Sequence, residues 1–427
     1  MSARRRPKHG CWVYARYLMS IVVIKRSASP SGNAMIRRSL IDQASEIDEP
    51  TPYYVFDLGA IRASCREMIS AWTSQFPDMT LAYSYKTNTM AAITRTLRDE
   101  GAAAEVVSGC ELSLALLDGH SPDRIFFDGP VKTHEELKQA LGQGVRIQID
   151  SLAEAAAICD IVEASAFPDP KVSLRLAALN ESGRVSRFGM TKPEARQAVS
   201  MLASRSIVVT GVHFNTGQHP MSASPYCSLL RAYADIIRDL LNQNGAAPFI
   251  LDIGGGFPAM SCTAGAPIPH PLSFATGVGQ EIDQLGIPRN RITLVIEPGR
   301  SLVEDHAVLV TSVCAIKMRN KKRVAIVDGG TNLVRSLATW THPMRFGRSG
   351  DAKFSVYGAM CFEGDIFATN LHGPKDLRVG EKFYVGAAGG YDIPSANAWL
   401  RPHPAAYGYS ANGQIQMIRN CGEGMRI

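Results

Sequence analysis

Apolar and polar positions follow a repeating two-beat order between residues 80 and 300. A short run of aliphatic, β-branched or aromatic residues is followed by ten or so positions of helical periodicity, and then by another short apolar run. The runs are Thr80–Tyr85, Ala103–Val107, Arg124–Phe127, Arg146–Ile149, Lys171–Leu176, Ile207–Phe214, Phe249–Ile253 and Ile292–Ile296, and a helical stretch over Leu58–Trp72 precedes them. Eight consecutive strand-helix units predict an α/β fold, a closed parallel (β/α)8 barrel. An open doubly wound sheet is the runner-up. After Ser301 the helices thin out. His306–Met318, Arg323–Val327, Lys353–Met360, Glu381–Gly386 and Gln414–Ile418 read as strands of a second, all-β domain at the C-terminal end. The early strand Tyr53–Phe56 lies ahead of the barrel. If it joins the second domain, that domain is built from residues 36–57 plus 301–427 and surrounds a barrel over 58–300, with 1–35 as a disordered or wrongly started leader.

The barrel reading makes a prediction about chemistry, because reactive groups in such folds collect at the C-terminal ends of the strands. The first strand ends in Tyr85-Lys86-Thr87-Asn88, the second carries Glu105 and the fifth Arg175. The sixth ends in His213-Phe-Asn215-Thr-Gly217, the seventh in Gly254-Gly255-Gly256 and the eighth in Glu297-Pro-Gly299-Arg300. An amine projecting from a dry wall has its ammonium form disfavoured by burial, which suits a lysine that bonds a carbonyl; the plain alternative is a strand-end lysine reaching water along its stem. Three successive glycines let a backbone approach an anion and aim its N–H groups at it, and Arg300 on the adjacent strand end can add a charge-assisted bond.

Charge and cysteine content narrow the class. The formal net charge is +6, but the first 38 residues hold nine basic residues and no acid, so the body of the chain carries 36 basic against 39 acidic residues. That balance has no footprint of a nucleic-acid binder. The apolar run Cys11–Ile24 is interrupted by Arg16 and followed by no clear cleavage site, which argues against a secretory signal, and it is too short to span a bilayer. Nine cysteines without a C-x-x-C pair argue for reduced thiols and against a metal site, and the reading is a soluble cytoplasmic protein that needs no metal and no membrane.

The motifs Tyr85-Lys-Thr-Asn88, Leu251-Asp-Ile-Gly-Gly-Gly-Phe-Pro258, Glu297-Pro-Gly-Arg300 and Gly358-Ala-Met-Cys-Phe-Glu-Gly-Asp365 occur in this order. Together they resemble the pyridoxal-phosphate decarboxylases of the alanine-racemase-like barrel fold, including the diaminopimelate and ornithine decarboxylases, over roughly residues 50–410. The resemblance implies pyridoxal 5′-phosphate as cofactor, with Lys86 bonding its aldehyde and Gly254, Gly255, Gly256, Gly299 and Arg300 around its phosphate. Glu105, Arg175, His213, Asn215 and Tyr391 would line the cofactor. Glu297 would face the pyridine nitrogen, an ion pair worth about 4 kcal/mol at ~4 Å and an effective dielectric of ~20. Cys361 would return a proton to the substrate, which suits a thiol that is mostly protonated at neutral pH. Arg300, Arg335, Asp365 and Tyr391 would bind the amino-acid substrate. The resemblance also implies a homodimer in which Lys86 and Cys361 of one active site come from different chains.

Two positions depart from the family pattern. Asn215 stands where the family has a histidine stacked on the cofactor, with His213 two residues earlier on the same face. Phe362 follows Cys361 where diaminopimelate decarboxylases carry glutamate, and Glu363 comes one residue late, on the opposite face of an extended chain. With Trp340 adding aromatic surface, the sequence resembles the branch that trims substituted or conjugated amino acids in siderophore and antibiotic pathways. The expected function is therefore α-decarboxylation of such a substrate, with meso-diaminopimelate decarboxylation as the alternative. A non-catalytic, cofactor-carrying regulatory protein is the reading from another class, and the presence of both Lys86 and Cys361 speaks against it.

Overall fold

The computed structural model describes residues 36–423 except 166, 168, 179–184, 218, 246 and 264. The leader expected over 1–35 lies outside the described residues. The first strand, β1 (Tyr53–Asp57), leads straight into the helix Leu58–Thr73. Asp57 ends the strand and caps the helix, accepting from the Ala60 N–H at 2.8 Å and so satisfying one of the donors that a helix start leaves free. The face Leu58, Ile61, Cys65, Met68 and Trp72 is buried, and each large apolar side chain removed from water contributes roughly 1.5–3 kcal/mol.

Eight parallel strands follow: β2 (Met79–Ser84), β3 (Ala103–Val106), β4 (Ile125–Phe127), β5 (Arg146–Ile149), β6 (Val172–Arg175), β7 (Val209–His213), β8 (Phe249–Asp252) and β9 (Ile292–Ile296). They pair in sequence order and close on themselves, β9 returning to β2 through Thr80↔Val295. The closed barrel is the predicted fold. Its strands read as mostly apolar runs without a two-residue alternation because both faces are covered, one by the barrel interior and the other by helices. Helix starts are set by local capping: Thr133 and Glu136 form a reciprocal box at the helix His134–Gln143, and Ser108 caps Gly109–Leu117.

Beyond the barrel lie β10 (Ala307–Arg319), β11 (Lys322–Val327), β12 (Met344–Phe346), β13 (Ala352–Tyr357), β14 (Ile366–Gly373), β15 (Lys382–Gly386), β16 (Ala405–Tyr409) and β17 (Ile415–Arg419). They form a separate sheet of order β14-β13-β11-β10-β1-β16-β17, with β15 pairing β10 and β12. β1 thus lies in this sheet, antiparallel to β10 and parallel to β16. β12, β14 and β16 were not expected from the sequence. β14 carries Thr369, Asn370 and His372 among its apolar positions, and β16 is built of alanine, tyrosine and glycine, so neither shows a clean two-residue period. Among the described residues no helix is long and apolar enough to cross a membrane, and the described cysteines are free thiols.

Candidate active site

The chain leaves β2 through the short 3-10 turn Tyr85–Thr87, which sets Lys86 just beyond the strand. Parallel pairing puts Ser84 beside Glu105, and from there the Lys86 amine donates to both Glu105 oxygens, at 2.5 and 2.6 Å. The Ser84 hydroxyl donates to the same carboxylate, which is fully buried. Here the structure corrects the sequence reading. Burial alone disfavours the ammonium, but Glu105, Asp128 and Glu297 outweigh it and push Lys86 up from the usual lysine range. Without a carbonyl partner the amine is held charged. To act as a nucleophile it must first give up a proton, and Glu105 is the acceptor in reach.

Beneath the lysine lies a buried polar floor. His213, at the end of β7, has no exposed surface and stands 3.4 Å from Glu297 and 3.6 Å from Asp128. Burial opposes the charge on Asp128, but Lys86, Arg175 and His213 hold it well below the usual carboxylate range. Arg175 donates to the Asp128 backbone oxygen at 2.9 Å and faces the carboxylates of Asp128 and Asp150 at 3.7 and 3.5 Å. Asp252 is the opposite case: burial and the neighbouring Glu297 push it well up, and it accepts from the Gln148 amide at 2.6 Å and the Gly254 N–H at 2.9 Å. Sequence reasoning missed Asp128 and Asp252, whose relation to Glu297 exists only once the barrel closes. Ligand-type atoms of Asp128, His213 and Glu297 all lie within 4.8 Å of one another, a grouping that could also hold a cation.

The glycine loop flanks this floor. Gly254 has φ +73°, a conformation that favours glycine, and a Cβ on Gly255 would stand 2.2 Å from the Glu297 backbone oxygen. Gly299 packs against Thr87, and Tyr391 returns from the second domain to donate its N–H to the Thr87 oxygen at 2.7 Å. Arg300 departs from the role expected of it. Its guanidinium is buried, ion-paired to Glu304 four residues on, and held between the rings of Trp340 and Tyr391 at 4.6 and 4.8 Å. Its charge is already met within the chain.

An open cleft of about 760 Å³ rises over Lys86, lined by Asp128, Arg175, Arg187, Phe188 and Asn215. Asn215 faces this cleft and accepts from the Gly217 N–H at 2.9 Å, whereas His213 is sealed below. Of the two candidates for covering a bound ring, the cleft side belongs to Asn215. Phe188 lies between Arg175 and Arg187, whose guanidinium carbons stand 4.9 and 4.0 Å from its ring centre.

The second-domain candidates are arranged differently. Cys361 and Phe362 are exposed at the tip of the loop between β13 and β14. Asp365, expected near the substrate, is buried and accepts from the N–H groups of Thr331 at 2.7 Å and Met360 at 2.8 Å, so within this chain it holds the Cys361 loop in shape. Arg335 is exposed on the short turn Arg335–Ala338.

Both Glu297 oxygens and both His213 nitrogens are buried without a hydrogen-bond partner among the described residues. Leaving them so is costly, and a flat heterocycle with a protonated nitrogen would satisfy Glu297. The glycine loop, whose Gly254 N–H is taken by Asp252, brings the bare backbone of Gly255 and Gly256 to the other end, and Lys86 offers an amine between. Residues 62–304 match the family described as "Pyridoxal-dependent decarboxylase, pyridoxal binding domain". The chain belongs to the pyridoxal-dependent decarboxylases. Pyridoxal 5′-phosphate is the cofactor of this family, and the residues fit it: Lys86 for the aldehyde, Glu297 for the ring nitrogen, Gly254–Gly256 and Gly299 for the phosphate. When bound, the cofactor supplies an electron sink for the pair left behind as a carboxyl group departs.

Among curated relatives, this decarboxylase is 31% identical to the diaminopimelate decarboxylase of Archaeoglobus fulgidus, covering 80% of this chain and 83% of that protein. It is 27% identical to the L-glutamyl-[BtrI acyl-carrier protein] decarboxylase of Niallia circulans, covering 87% and 91%. Among solved structures, the diaminopimelate decarboxylase of M. jannaschii in co-complex with L-lysine superimposes with a TM-score of 0.81 at 25% identity, covering 89% of this chain and 91% of that one.

The triple-glycine loop yields a direct test. Gly255→Ala drives a methyl group into the Glu297 carbonyl and forces the backbone apart, so cofactor affinity should fall at least tenfold, seen as a raised Kd in a titration of the unloaded protein followed by visible absorbance. Unchanged affinity would remove the loop from the phosphate site.

Proposed function

We propose that this protein removes the α-carboxyl group of an amino acid, with Lys86 as the cofactor-bonding amine and Cys361 of a second copy as the acid that returns a proton to Cα. The observation that carries the reading is the convergence of Lys86, Glu105, Glu297 and the Gly254–Gly256 loop at one end of the barrel. Glu105 takes the proton that Lys86 must lose, Glu297 holds a proton on the ring nitrogen, and Asn215 bounds the open face. For the substrate, most of the similar curated proteins support meso-diaminopimelate. Phe362 beside Cys361 favours a second reading, a substituted or conjugated amino acid, and one relative acts on an amino acid carried by a protein.

The shared active site of a homodimer accounts for an exposed Cys361 next to the exposed apolar Phe362, a pairing that a lone chain would leave to water. Cys361→Ala should still release carbon dioxide from a susceptible amino acid, yet lower kcat by about 10²- to 10³-fold and divert part of the product to misplaced protonation. Product analysis by mass spectrometry in deuterated water checks this. An unaltered product at unaltered rate would remove Cys361 from the reaction. A screen of diaminopimelate, lysine, ornithine, arginine and an amide-conjugated diaminopropionate for carbon dioxide release separates the two substrate readings.

A further inference from the structure

A second cavity, of about 430 Å³, opens in the β-domain, and Met360, the residue before Cys361, forms part of its wall. Its size falls among pockets that hold small molecules, roughly 300–1,000 Å³. Pro50, Pro52, Pro402 and Pro404 stiffen the walls, because the ring of each fixes one backbone angle. Tyr407 and Met417, opposite each other on β16 and β17, add apolar surface. Within these walls stands Asp328, partly buried at the end of β11, whose oxygens accept from the Ser312 N–H at 2.9 Å and from the Thr51 hydroxyl. Both donors are neutral, so the carboxylate has no ion-pair partner among the described residues. Glu49 and Arg401 line the same cavity and are exposed, and two carboxylates against one guanidinium leave it net negative.

We propose that this cavity is an effector site for a small aliphatic amine, whose ammonium pairs with Asp328 while its chain lies among the prolines and Met417. A carboxylate held only by neutral donors keeps its charge available for a charge-assisted bond. Asn332 on the same wall points to the same ligand, since its side-chain oxygen is buried without a donor among the described residues and an ammonium has three donors to share. An anion would face two carboxylates here. The decarboxylase reaction makes compounds of this class, because an amino acid that loses its α-carboxyl group leaves an amine.

Met360 links the cavity to the reaction. It donates its N–H to Asp365 at 2.8 Å and accepts from the Phe362 N–H at 2.8 Å, so these two bonds hold the bend in which Cys361 sits. Gly330, two residues after Asp328, lies so close that a Cβ there would stand 2.5 Å from the Met360 side chain, and Ala359 donates to the Gly329 oxygen at 2.9 Å. The segment that carries Asp328 is thus packed and hydrogen-bonded to the segment that carries Cys361. An amine drawn to Asp328 and resting on Met360 shifts the Cys361 loop and slows the return of the proton, with no effect on cofactor binding. That consequence rests on the proposed role of Cys361, whereas the binding of the amine does not.

Calorimetry on the holoenzyme, first reduced with borohydride so that no amine exchanges onto the cofactor, gives the affinity for n-pentylamine and for pentanol, its uncharged counterpart. The proposal expects pentanol to bind at least about tenfold more weakly than the amine, and the amine to lose about tenfold in Asp328→Asn, which keeps an oxygen for the Ser312 N–H. Met417→Trp, on the half-exposed rim, should fill the cavity and abolish binding while leaving basal activity intact, so the idea stays testable if Asp328→Asn does not fold. In the native holoenzyme at saturating substrate, where competition at the cofactor is overcome, the amine should still lower turnover about threefold or more, and Met417→Trp should abolish that effect. Equal affinity for pentanol, amine binding that survives either variant, or inhibition that saturating substrate removes overturns the proposal, since the amine then sits in the cleft over Lys86 or in an unselective apolar hole. A protein that releases no carbon dioxide from any amino acid would sink the decarboxylase reading and leave the calorimetric arm to decide the site.

Discussion

Lys86→Ala is expected to fold, to bind no cofactor in the form that absorbs visible light, and to lose at least about 10³-fold in carbon dioxide release. The reason is that, among the described residues, no second amine lines the cleft over Lys86. Lys132 is buried with its Nζ donating to the Gly129 and Gln148 backbone oxygens at 2.7 and 2.8 Å and to Glu154 at 2.7 Å, so all of its hydrogens are committed. Reduction of the wild-type protein with borohydride should abolish the visible band and leave the added mass on the peptide containing Lys86. A band that persists in Lys86→Ala, or a label on another lysine, would rule out the assignment.

Glu297→Gln carries the second large effect. A carboxylate about 4 Å from a ring nitrogen stabilises its protonated form by roughly 4 kcal/mol at an effective dielectric of ~20, equivalent to about 10³-fold in the rate of a step that draws electrons into that ring. His213 cannot substitute, since its nearest charged neighbours are Glu297 and Asp128 themselves. The variant should therefore keep near-normal cofactor affinity, because Lys86 and the glycine loop are intact, while kcat falls by about three orders of magnitude. Stopped-flow spectra and single-turnover assays separate the two effects. A proportionate loss of affinity and rate would mean that Glu297 merely holds the loop against Gly255.

The barrel was legible because the parallel strands are short, mostly apolar runs at regular spacing, several of them ending in a residue that no core would choose: Lys86, His213, the glycines, Glu297. The wiring of the site was not. Glu105 meets Lys86 through the register of two neighbouring strands, and that contact reverses the expected direction of the lysine's proton affinity. Asp365 looked like a substrate ligand by motif, but its oxygens accept from the backbone N–H groups of Met360 in its own loop and Thr331 in the loop after β11. Arg300 and Glu304, four positions apart after a glycine, did carry a readable signal for a helical ion pair. In the second sheet, β12 and β16 escaped notice because one is three residues long and the other is made of small and aromatic residues whose burial is decided by β1.

The central position of β1 has a bearing on how the protein is made. Its neighbours on either side are residues 307–310 and 405–409, so a chain emerging from the ribosome in order must complete the whole barrel before the strand meets its first partner and nearly the whole sequence before it meets the second. During that wait Tyr53, Tyr54, Val55 and Phe56, all buried at the end, are open to wrong pairing. Loss of the chain from Ile415 onward would strip away β17, the neighbour of β16, and leave the sheet's seam half-closed, so such truncations should aggregate during synthesis even though the barrel that holds Lys86 is untouched.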